Sequence, residues 1–551
     1  MKRLWKDIYA FLSCKVYIFS MIIVAMCAYG FAITHHSIGM DDTAVAMYFE
    51  DGLAPYVGRW TLYVLNQIVD ISSFLPWIVE FVSVIILIFS VTLWCVLWQR
   101  VVDTMPLWSY ALVGGIFMSC PLISEVFVFY LHNGICIGYG LIAFALIEFT
   151  EAVNKGIRKG WKDLLIASFL SSVAMGCYES FAAVYVIGAL TCFLAIRVKE
   201  QAQDTMLNSK LLVWLEAGVL SLGMSMLIRM VVLQVIKCVE DGEKFAGYTV
   251  LYRKAFGDIF TIPGELAMIL KRFYAMYCVN GIVYLPIAVL CAAIVICVLY
   301  AFGKAIRHKD GGIILCVMAM FTTPIFMAIL EGNVTRYRSA QYVPVVCAFA
   351  VVLVLQQLEH VKSDVLKWAA YLIGIVLIFN QCVDMNRWFW VDYLKYQDAK
   401  RVMDQVAYDI ESSCDISKPI VFRGGYEVPN SIRSVAYVSF GSKEHQRISK
   451  LLDPIDVHLQ EKYWDSIGYN FVEGPNISTL QWGVTAFNGT AQQLIEFWRM
   501  HGIGELYCAT DLAMIEEAQN VMTENDMPGY PEKGYVREFE DYIIVNLSHS
   551  E

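Results

Sequence analysis

Residues 16–42 of the chain read VYIFSMIIVAMCAYGFAITHHSIGMDD, and their order decides the class of the fold. Residues 16–34 carry no charged side chain. A helix of that length rises about 1.5 Å per residue and crosses a hydrocarbon core of about 30 Å. Asp41 and Asp42 follow a few residues later. The stretch therefore predicts a transmembrane helix that opens into an acidic loop at the membrane surface.

The composition extends this prediction to the rest of the chain. Of 551 residues, 58% are hydrophobic and only 17% are charged, which is too apolar for one soluble core. The net charge of -10 and the scattered bases exclude a nucleic-acid partner, because no long basic face is present to neutralise phosphates. Most of the 16 cysteines lie in apolar runs and behave as small buried groups. We therefore expect a polytopic protein embedded in a lipid bilayer.

Apolar runs of roughly 17 to 25 residues recur through the first 383 residues and predict about eleven transmembrane helices. The predicted spans are 16–34, 74–98, 107–130, 132–152, 163–178, 180–197, 211–236, 281–303, 312–330, 343–358 and 367–383. Only the letters YES separate the fifth span from the sixth. The expected fold is an α-helical, polytopic membrane domain over residues 1–383, with interfacial helices in the first outer loop, residues 35–73.

Basic residues orient these spans. Lys2, Arg3 and Lys6 precede the first span, and further basic clusters fall at alternate connections. The positive-inside rule therefore places the N-terminus in the cytoplasm. With an odd number of spans, residues 384–551 emerge on the opposite, extracytoplasmic side.

Residues 384–551 are polar enough to fold in water as a separate domain. A helical pattern covers 393–413, and the runs PIVFRG and YIIVNL are typical of short strands. We expect a small α/β domain. Cys414 and Cys508 are equally compatible with a disulfide and with two free thiols.

The acidic first outer loop contains the first candidate for chemistry. Its residues 41–51 have the spacing of a short amphipathic helix, for which one aspartate serves as N-cap, worth about 1 kcal/mol. A single cap needs a single carboxylate. The second carboxylate lies beside a membrane, where desolvation raises its pKa, and is suited to accept a proton from a substrate hydroxyl.

A second amphipathic segment runs from Arg59 to about Asp70. Aromatic and aliphatic side chains form its apolar side and would anchor it at the headgroup level: Trp60, Tyr63, Val64 and Ile68. Two interpretations of Arg59 stay open. Its side chain either extends to lipid phosphates or holds a phosphorylated substrate near the acidic pair.

These residues carry a resemblance to a known family. A first span followed by a long outer loop with an acidic pair is similar to the GT-C class of membrane glycosyltransferases. The arrangement DD…GRW resembles the GtrII-type glucosyltransferases. The segments SCPLISEVFVFYLHN, YES and MPGYPEKGYVREFEDYIIVNLS resemble further parts of that family.

The resemblance implies transfer of glucose from a polyprenyl-phosphate carrier, such as undecaprenyl phosphate, to a cell-surface polysaccharide such as O-antigen. The reaction would take place on the outer face of the plasma membrane, the inner membrane of a bacterium. In GT-C enzymes an aspartate of the first outer loop is the general base, and the matching positions here are Asp41 and Asp42. We expect Asp42 to be the base and Asp41 to orient the acceptor, a choice that the sequence leaves open. Single displacement by the activated hydroxyl would invert the sugar carbon.

The leaving lipid phosphate is anionic and needs cations. Four arginines near the outer side are the candidates for this role: Arg59, Arg229, Arg336 and Arg338. Arg229 lies within the seventh span, where an unpaired cation costs at least about 2.5 kcal/mol, so either an internal ion pair or the donor phosphate is its expected partner. Arg336 and Arg338 suit a phosphate bidentately, although anionic headgroups alone also explain them.

Polar residues at outer span ends are candidates for binding the acceptor sugar: Glu125, His132, Asn133, Tyr178 and Glu179. The alternative for both glutamates is a short turn exposed to water. His35 and His36 are expected to be interfacial residues and not metal ligands. The acid pair is compatible with a divalent cation, but no second ligand cluster is recognisable, so we assign no cofactor.

Two other functions fit a polytopic chain. A flippase or transporter of lipid-linked saccharides would place charged residues near the bilayer midplane, as Glu80, Glu216 and Arg229 allow. A non-catalytic protein of surface-polymer assembly is the third possibility. A transfer assay with aspartate variants separates these from a glycosyltransferase.

Overall fold

A computed structural model describes most of the chain. The described residues are 2–39, 58–69, 77–102, 105–128, 132–199, 209–239, 287–308, 311–331, 339–429, 431–432, 480, 483–484 and 489–548. Helices predominate among them, and a small sheet lies near the C-terminus.

Helices make up the first three quarters of the described chain. In order they are α1 (Lys2–Ser13), α2 (Lys15–Thr34), α3 (Trp60–Val69), α4 (Ile78–Val102), α5 (Tyr110–Met118), α6 (Leu122–Val128), α7 (His132–Lys155), α8 (Trp161–Cys177), α9 (Phe181–Lys199), α10 (Ser209–Val239), α11 (Ile287–His308), α12 (Gly311–Glu331), α13 (Val343–Leu358) and α14 (Asp364–Ser413). A 3-10 turn at Leu107–Ser109 leads into α5.

Within the described residues, five helices are long and apolar enough to cross a membrane. They cover Lys15–Thr34, Ile78–Val102, Gly134–Lys155, Leu211–Ile236 and Asp364–Ser413. Shorter apolar helices cover Leu107–Met118, Phe181–Arg197, Gly311–Pro324 and Val343–Leu358. These helices indicate a membrane protein, as the composition predicts, while the number of eleven spans stays a prediction.

Two predicted spans differ from the helices that form. The single span predicted over 107–130 is wrong, because α5 ends at Met118 and α6 begins at Leu122. Pro121 lies in the break, where it has no N–H to donate and its ring clashes with the preceding turn of a continuous helix. The span predicted over 367–383 lies within a longer helix, since α14 has 50 residues, or a length of about 75 Å; the bounds of the span itself stay a prediction. Hydropathy marks the end of the apolar run there and not the end of the helix.

The C-terminal part contains the predicted mixture of helix and strand. Strands β1 (Ile420–Arg423), β2 (Val536–Glu538) and β3 (Ile543–Asn546) form a sheet in the order β1-β3-β2. β1 runs parallel to β3, and β2 runs antiparallel to it. Two further helices, α15 (Gln492–Met500) and α16 (Leu512–Glu524), accompany this sheet. The predicted runs PIVFRG and YIIVNL contain β1 and β3.

Cys414 and Cys508 are both free thiols in this part of the chain. Burial raises the pKa of each thiol, so both stay protonated at neutral pH. Of the two possibilities left open by the sequence, the structure has the unbonded pair.

Helix α14 joins two hydrophobic cores. The core of the helix bundle extends along it to Val391, and the core of the C-terminal part begins at Ala399. Ile38, from the segment after α2, is 3% exposed and belongs to the second core. The predicted boundary at residue 383 falls inside this continuous helix, and the division into two domains stays a prediction.

Candidate active site at the turn between α8 and α9

The turn between α8 and α9 supplies one wall of the site. Tyr178 follows the last residue of α8 with an extended backbone and is 3% exposed. Its hydroxyl group lies 2.9 Å from the Ser339 hydroxyl oxygen, within hydrogen-bonding distance. Ser339 is the residue after Arg338, one of the predicted phosphate ligands. The contact therefore joins the predicted sugar-binding turn to the end of the segment that contains Arg336 and Arg338.

Arg59 lies over the ring of Tyr178. Its Cζ atom is 5.1 Å from the ring centroid, within the range of a cation–π interaction, which is worth about 0.5–2 kcal/mol depending on exposure. Arg59 is half-buried and directly precedes α3. The structure thus brings together Arg59, predicted to bind phosphate, and Tyr178, predicted to bind sugar.

A second arginine, Arg229, lies against Gly58, the residue before Arg59. The φ of Gly58, 84°, lies in the left-handed region, and a Cβ atom at this position would clash with Nη2 of Arg229. A side chain at residue 58 is therefore disfavoured by backbone strain and would displace the Arg229 guanidinium. Arg229 reaches the backbone of Gly58, and Arg59 is the next residue.

The serine pattern of α10 explains why Arg229 points toward Gly58. Ser221, Ser225 and Arg229 are spaced by four residues and share one face of the helix. Ser221 and Ser225 are buried against α8, with their hydroxyl oxygens 3.1 Å from Ser168 and 2.5 Å from Ser171. Arg229 lies one turn further along the same face, toward the predicted outer end.

The described surroundings of Arg229 leave both expected partners, an internal ion pair and the donor phosphate, as predictions. Among the described residues Arg229 has no ion-pair partner, and its Nε atom is buried without a hydrogen bond. Its helical neighbours Leu227, Met230 and Val231 are exposed hydrophobic residues and face away from the protein. The guanidinium is thus turned toward Gly58, whereas these neighbours lie on the exposed side of the helix.

The remaining contacts of α3 hold its start against α7 and α8. The Thr61 hydroxyl donates a hydrogen bond of 2.7 Å to the Val173 carbonyl. Gly176 permits this approach, because a Cβ there would clash with Trp60 and Thr61. Each letter of the GRW motif therefore has a defined place: Gly58 against Arg229, Arg59 over Tyr178, and Trp60 against Gly176.

The start of the first outer loop is held by contacts that the sequence did not reveal. Nδ1 of His36 lies 2.9 Å from Oε1 of Glu80, on the first turn of α4. The Ser37 hydroxyl donates a hydrogen bond of 2.6 Å to Asp392 on α14, across 355 residues of sequence. No periodicity or local motif links residues so far apart. The ring of His35 stacks on Phe31 with the ring centroids 4.2 Å apart, and its place at the membrane interface stays a prediction.

Other predicted site residues are placed only in part. Asp41, Asp42, Arg336 and Arg338 lie outside the described residues. Glu125 lies on α6, and His132 and Asn133 begin α7. Glu179 follows Tyr178 in the turn and is half-buried, not fully exposed to water. No group of three or more potential metal ligands occurs among the residues that the structure describes.

A comparison with protein families shows the family of the chain. The model for glucosyl transferase GtrII matches residues 30–355, more than half of the chain. The chain belongs to the GtrII glucosyl transferase family. The resemblance noted in the sequence is thereby confirmed, and membership supports a glycosyltransferase that acts on a sugar donor and an acceptor. No match was found among curated proteins or among solved structures.

The GtrII match includes every residue of the site described above except Asp392. It begins near the end of α2, covers Gly58, Arg59, Tyr178 and Arg229, and ends within α13. The C-terminal part, which supplies Asp392 and the second core, follows the matched range.

Proposed function

We propose that this GtrII glucosyl transferase moves glucose from a polyprenyl-phosphate carrier to a cell-surface glycopolymer on the outer face of the bacterial inner membrane. The proposal assigns the chain to the GT-C class, with a cytoplasmic N-terminus and an extracytoplasmic C-terminal domain. Family membership supports glucosyl transfer, and the long apolar helices support a lipid-linked donor that reaches the site from the bilayer.

One observation carries the assignment of the donor. Arg229 lies against Gly58, and the next residue, Arg59, lies over the ring of Tyr178. Guanidinium groups bind phosphate bidentately and stay charged at all relevant pH values. We assign Arg59 and Arg229 to the donor phosphate, together with Arg336 and Arg338, whose segment leads into Ser339 at the Tyr178 hydroxyl.

The chemistry requires one base and no acid. Asp42, oriented with Asp41, takes the proton of the acceptor hydroxyl, whose oxygen attacks the anomeric carbon of glucose. The bond from that carbon to the phosphate oxygen breaks, and the electron pair leaves on the lipid phosphate. The arginines stabilise the charge that develops there, so the phosphate departs without protonation. A single displacement inverts the configuration at the anomeric carbon.

The acceptor sugar is assigned to the polar residues around the Tyr178 turn. Glu179 and Tyr178 lie in this turn, and Glu125, His132 and Asn133 belong to the nearby ends of α6 and α7. Carboxylate and amide groups suit the hydroxyls of a sugar, and the aromatic ring suits its apolar face. The C-terminal domain then acts as an external lid or acceptor-binding domain.

A transfer assay tests this proposal. The purified protein in lipid vesicles receives polyprenyl-phosphate glucose labelled in the sugar, together with a glycan acceptor. The parent is compared with Asp41→Ala, Asp42→Ala and the double variant, and Asp51→Asn serves as a control from the same loop. We expect transfer by the parent and the control, and none by the double variant.

Three results would contradict the proposal. Intact transfer by the double variant removes the aspartates from the chemistry. Retention of the anomeric configuration, measured by NMR of the product, excludes a single displacement. Movement of the intact lipid-linked sugar across the bilayer without transfer favours the flippase alternative.

A further inference from the structure

We propose that residues 36–38 form a positioning segment for the catalytic loop, and that the C-terminal domain takes part in catalysis through Asp392. The inference rests on the proposed role of Asp41 and Asp42. It assigns Ser37 and Asp392 as positioning residues, neither of which touches the reacting atoms.

Three consecutive residues are anchored to three different parts of the molecule. His36 pairs with Glu80 of α4 at 2.9 Å. Ser37 donates a hydrogen bond of 2.6 Å to Asp392 of α14. Ile38 is buried in the core of the C-terminal part, where it packs in the same cluster as helix α15 and strands β1 and β3. A segment that served only as a connection would need none of these contacts.

The Ser37–Asp392 contact involves a buried carboxylate, as the His36–Glu80 contact does. Asp392 is 8% exposed, and Lys395 lies 3.7 Å from its other carboxylate oxygen. A hydrogen bond to an ionised acceptor is shorter and stronger than one between neutral groups, and burial limits competition from water. Asp392 therefore fixes the Ser37 hydroxyl while Lys395 balances the buried charge.

Chain length connects this anchor to the proposed base. Only two residues separate Ile38 from Asp41, and each residue spans at most about 3.6 Å. Fixing residues 36–38 therefore limits the volume that the following carboxylates can occupy. At the far end, the same loop returns to the anchored turn of Gly58 and Arg59.

Placement of this kind matters most for turnover. A displacement of about 1 Å in a catalytic group can lower the rate by about a hundredfold, even when substrate binding is unchanged. Loss of the Ser37 anchor is therefore expected to lower kcat and to leave the donor KM almost unaltered. A purely stabilising contact would instead lower the unfolding temperature and leave the kcat of the folded protein unchanged.

The experiment uses the full chain in vesicles and compares Ser37→Ala, Asp392→Ala and the double variant with the parent. Ser37→Thr and Asp392→Asn keep the hydroxyl group and the acceptor oxygen, respectively. Asp404→Asn is the matched control, because Asp404 lies on the same helix and pairs with Lys400 at 2.6 Å, but on an exposed surface. The readouts are kcat, KM for polyprenyl-phosphate glucose, and amide hydrogen exchange of the peptide covering residues 36–42.

We expect Ser37→Ala and Asp392→Ala each to lower kcat by at least about tenfold and to change KM by less than about twofold. The kcat of the double variant should lie no more than about twofold below that of the less active single variant, because each substitution removes the same Ser37–Asp392 hydrogen bond. Exchange at residues 36–42 should accelerate in all three. Ser37→Thr and Asp392→Asn should retain most of the kcat, and Asp404→Asn all of it.

Wild-type kcat in Ser37→Ala, or additive losses in the double variant, would overturn the inference. The hydrogen-exchange measurement does not depend on activity. An inactive parent would therefore refute the proposed function, whereas unchanged exchange in Ser37→Ala would refute the positioning segment alone.

Discussion

The cations at the two ends of the helix bundle are held in different ways. At the predicted cytoplasmic end, Arg100 lies 2.7 Å from Asp7 and 3.7 Å from Glu151, and Lys155 lies 2.8 Å from Asp163. Carboxylates of the protein neutralise these charges. At the predicted outer end, Arg229 lies against the backbone of Gly58 and has no carboxylate partner among the residues that the structure describes.

The difference indicates two roles for basic residues in one membrane protein. A carboxylate partner both orients and neutralises a cation, which suits a structural site. A backbone contact orients the Arg229 guanidinium and leaves its positive charge in place, which suits a site for an anionic ligand. The comparison predicts that substitutions at the outer end reduce activity, whereas those at the cytoplasmic end reduce stability.

The largest effect is expected from Arg229→Gln. Loss of a cation that stabilises the leaving phosphate should lower kcat/KM by about a hundredfold to a thousandfold, with little change in unfolding temperature. Arg100→Gln is the counterpart, and its loss of two carboxylate contacts should destabilise the fold by about 1–3 kcal/mol. Transfer kinetics and thermal unfolding of both variants provide the measurement. Equal losses of kcat/KM in Arg229→Gln and Arg100→Gln would contradict the prediction that the two ends have different roles.

Gly58→Ala should produce the second-largest loss of activity, and Gly156→Ala is its matched control. Both glycines have positive φ, 84° and 78°, but no atom lies within 4 Å of a Cβ at Gly156. Each substitution carries a backbone cost of about 1 kcal/mol, and only the one at residue 58 also displaces Arg229. We expect a kinetic loss of at least about tenfold for Gly58→Ala and normal turnover for Gly156→Ala. Normal turnover in both would show that Arg229 need not lie at this turn.

Tyr178 should show a graded, smaller effect. Tyr178→Phe keeps the ring under Arg59 and loses only the hydrogen bond to Ser339, so we expect a change in kcat/KM of less than about threefold. Tyr178→Leu removes the ring and should lower kcat/KM by about tenfold. Steady-state kinetics with varied donor would measure both. The reverse order would assign the role of Tyr178 to its hydroxyl and not to its ring.

The smallest effect concerns an exposed ion pair on the C-terminal domain. Nζ of Lys418 lies 2.6 Å from Glu538, and this contact lowers the pKa of the Glu538 carboxyl. Hydrogen bonds from Ser417 likewise lower the pKa of Asp415. Because both folded-state pKa values lie below those of the unfolded chain, the stabilisation is present above the unfolded values of about 4 and is lost as the pH falls through the folded values.

Thermal unfolding between pH 6 and pH 3 would measure this loss; both limits are chosen to bracket unfolded carboxyl pKa values of about 4. Glu538→Gln should unfold at a lower temperature than the parent near pH 6, and the difference should shrink toward pH 3. A constant difference across this range would mean that the Glu538 charge contributes no stability.

Much of the helical part follows from local sequence. The predicted span 343–358 coincides with α13, and the letters YES separate α8 from α9 as expected. Length and hydropathy are local properties, so a window along the chain detects them. The helical pattern over residues 393–413 was also predicted, but its continuity with the predicted span 367–383 was not, because these later turns are polar and are stabilised by packing in a second core.

The candidate site was predictable in its members and not in its arrangement. Arg59, Tyr178 and Arg229 are each conspicuous, because a charge or a polar turn at a membrane boundary needs a reason. Their convergence depends on how α3, α8 and α10 pack together. The Ser37–Asp392 contact left no signal at all, since serine and aspartate are common and the partners lie 355 residues apart.

The central claim is that the outer arginines hold the phosphate of a lipid carrier, and a binding measurement tests it most directly. Binding of polyprenyl phosphate and of the corresponding uncharged polyprenol would be measured for the parent, Arg229→Gln and Arg100→Gln in the same detergent. The account predicts that the parent and Arg100→Gln prefer the phosphate by at least about tenfold, and that Arg229→Gln loses most of this preference. An equal preference for the phosphate in all three proteins would contradict it.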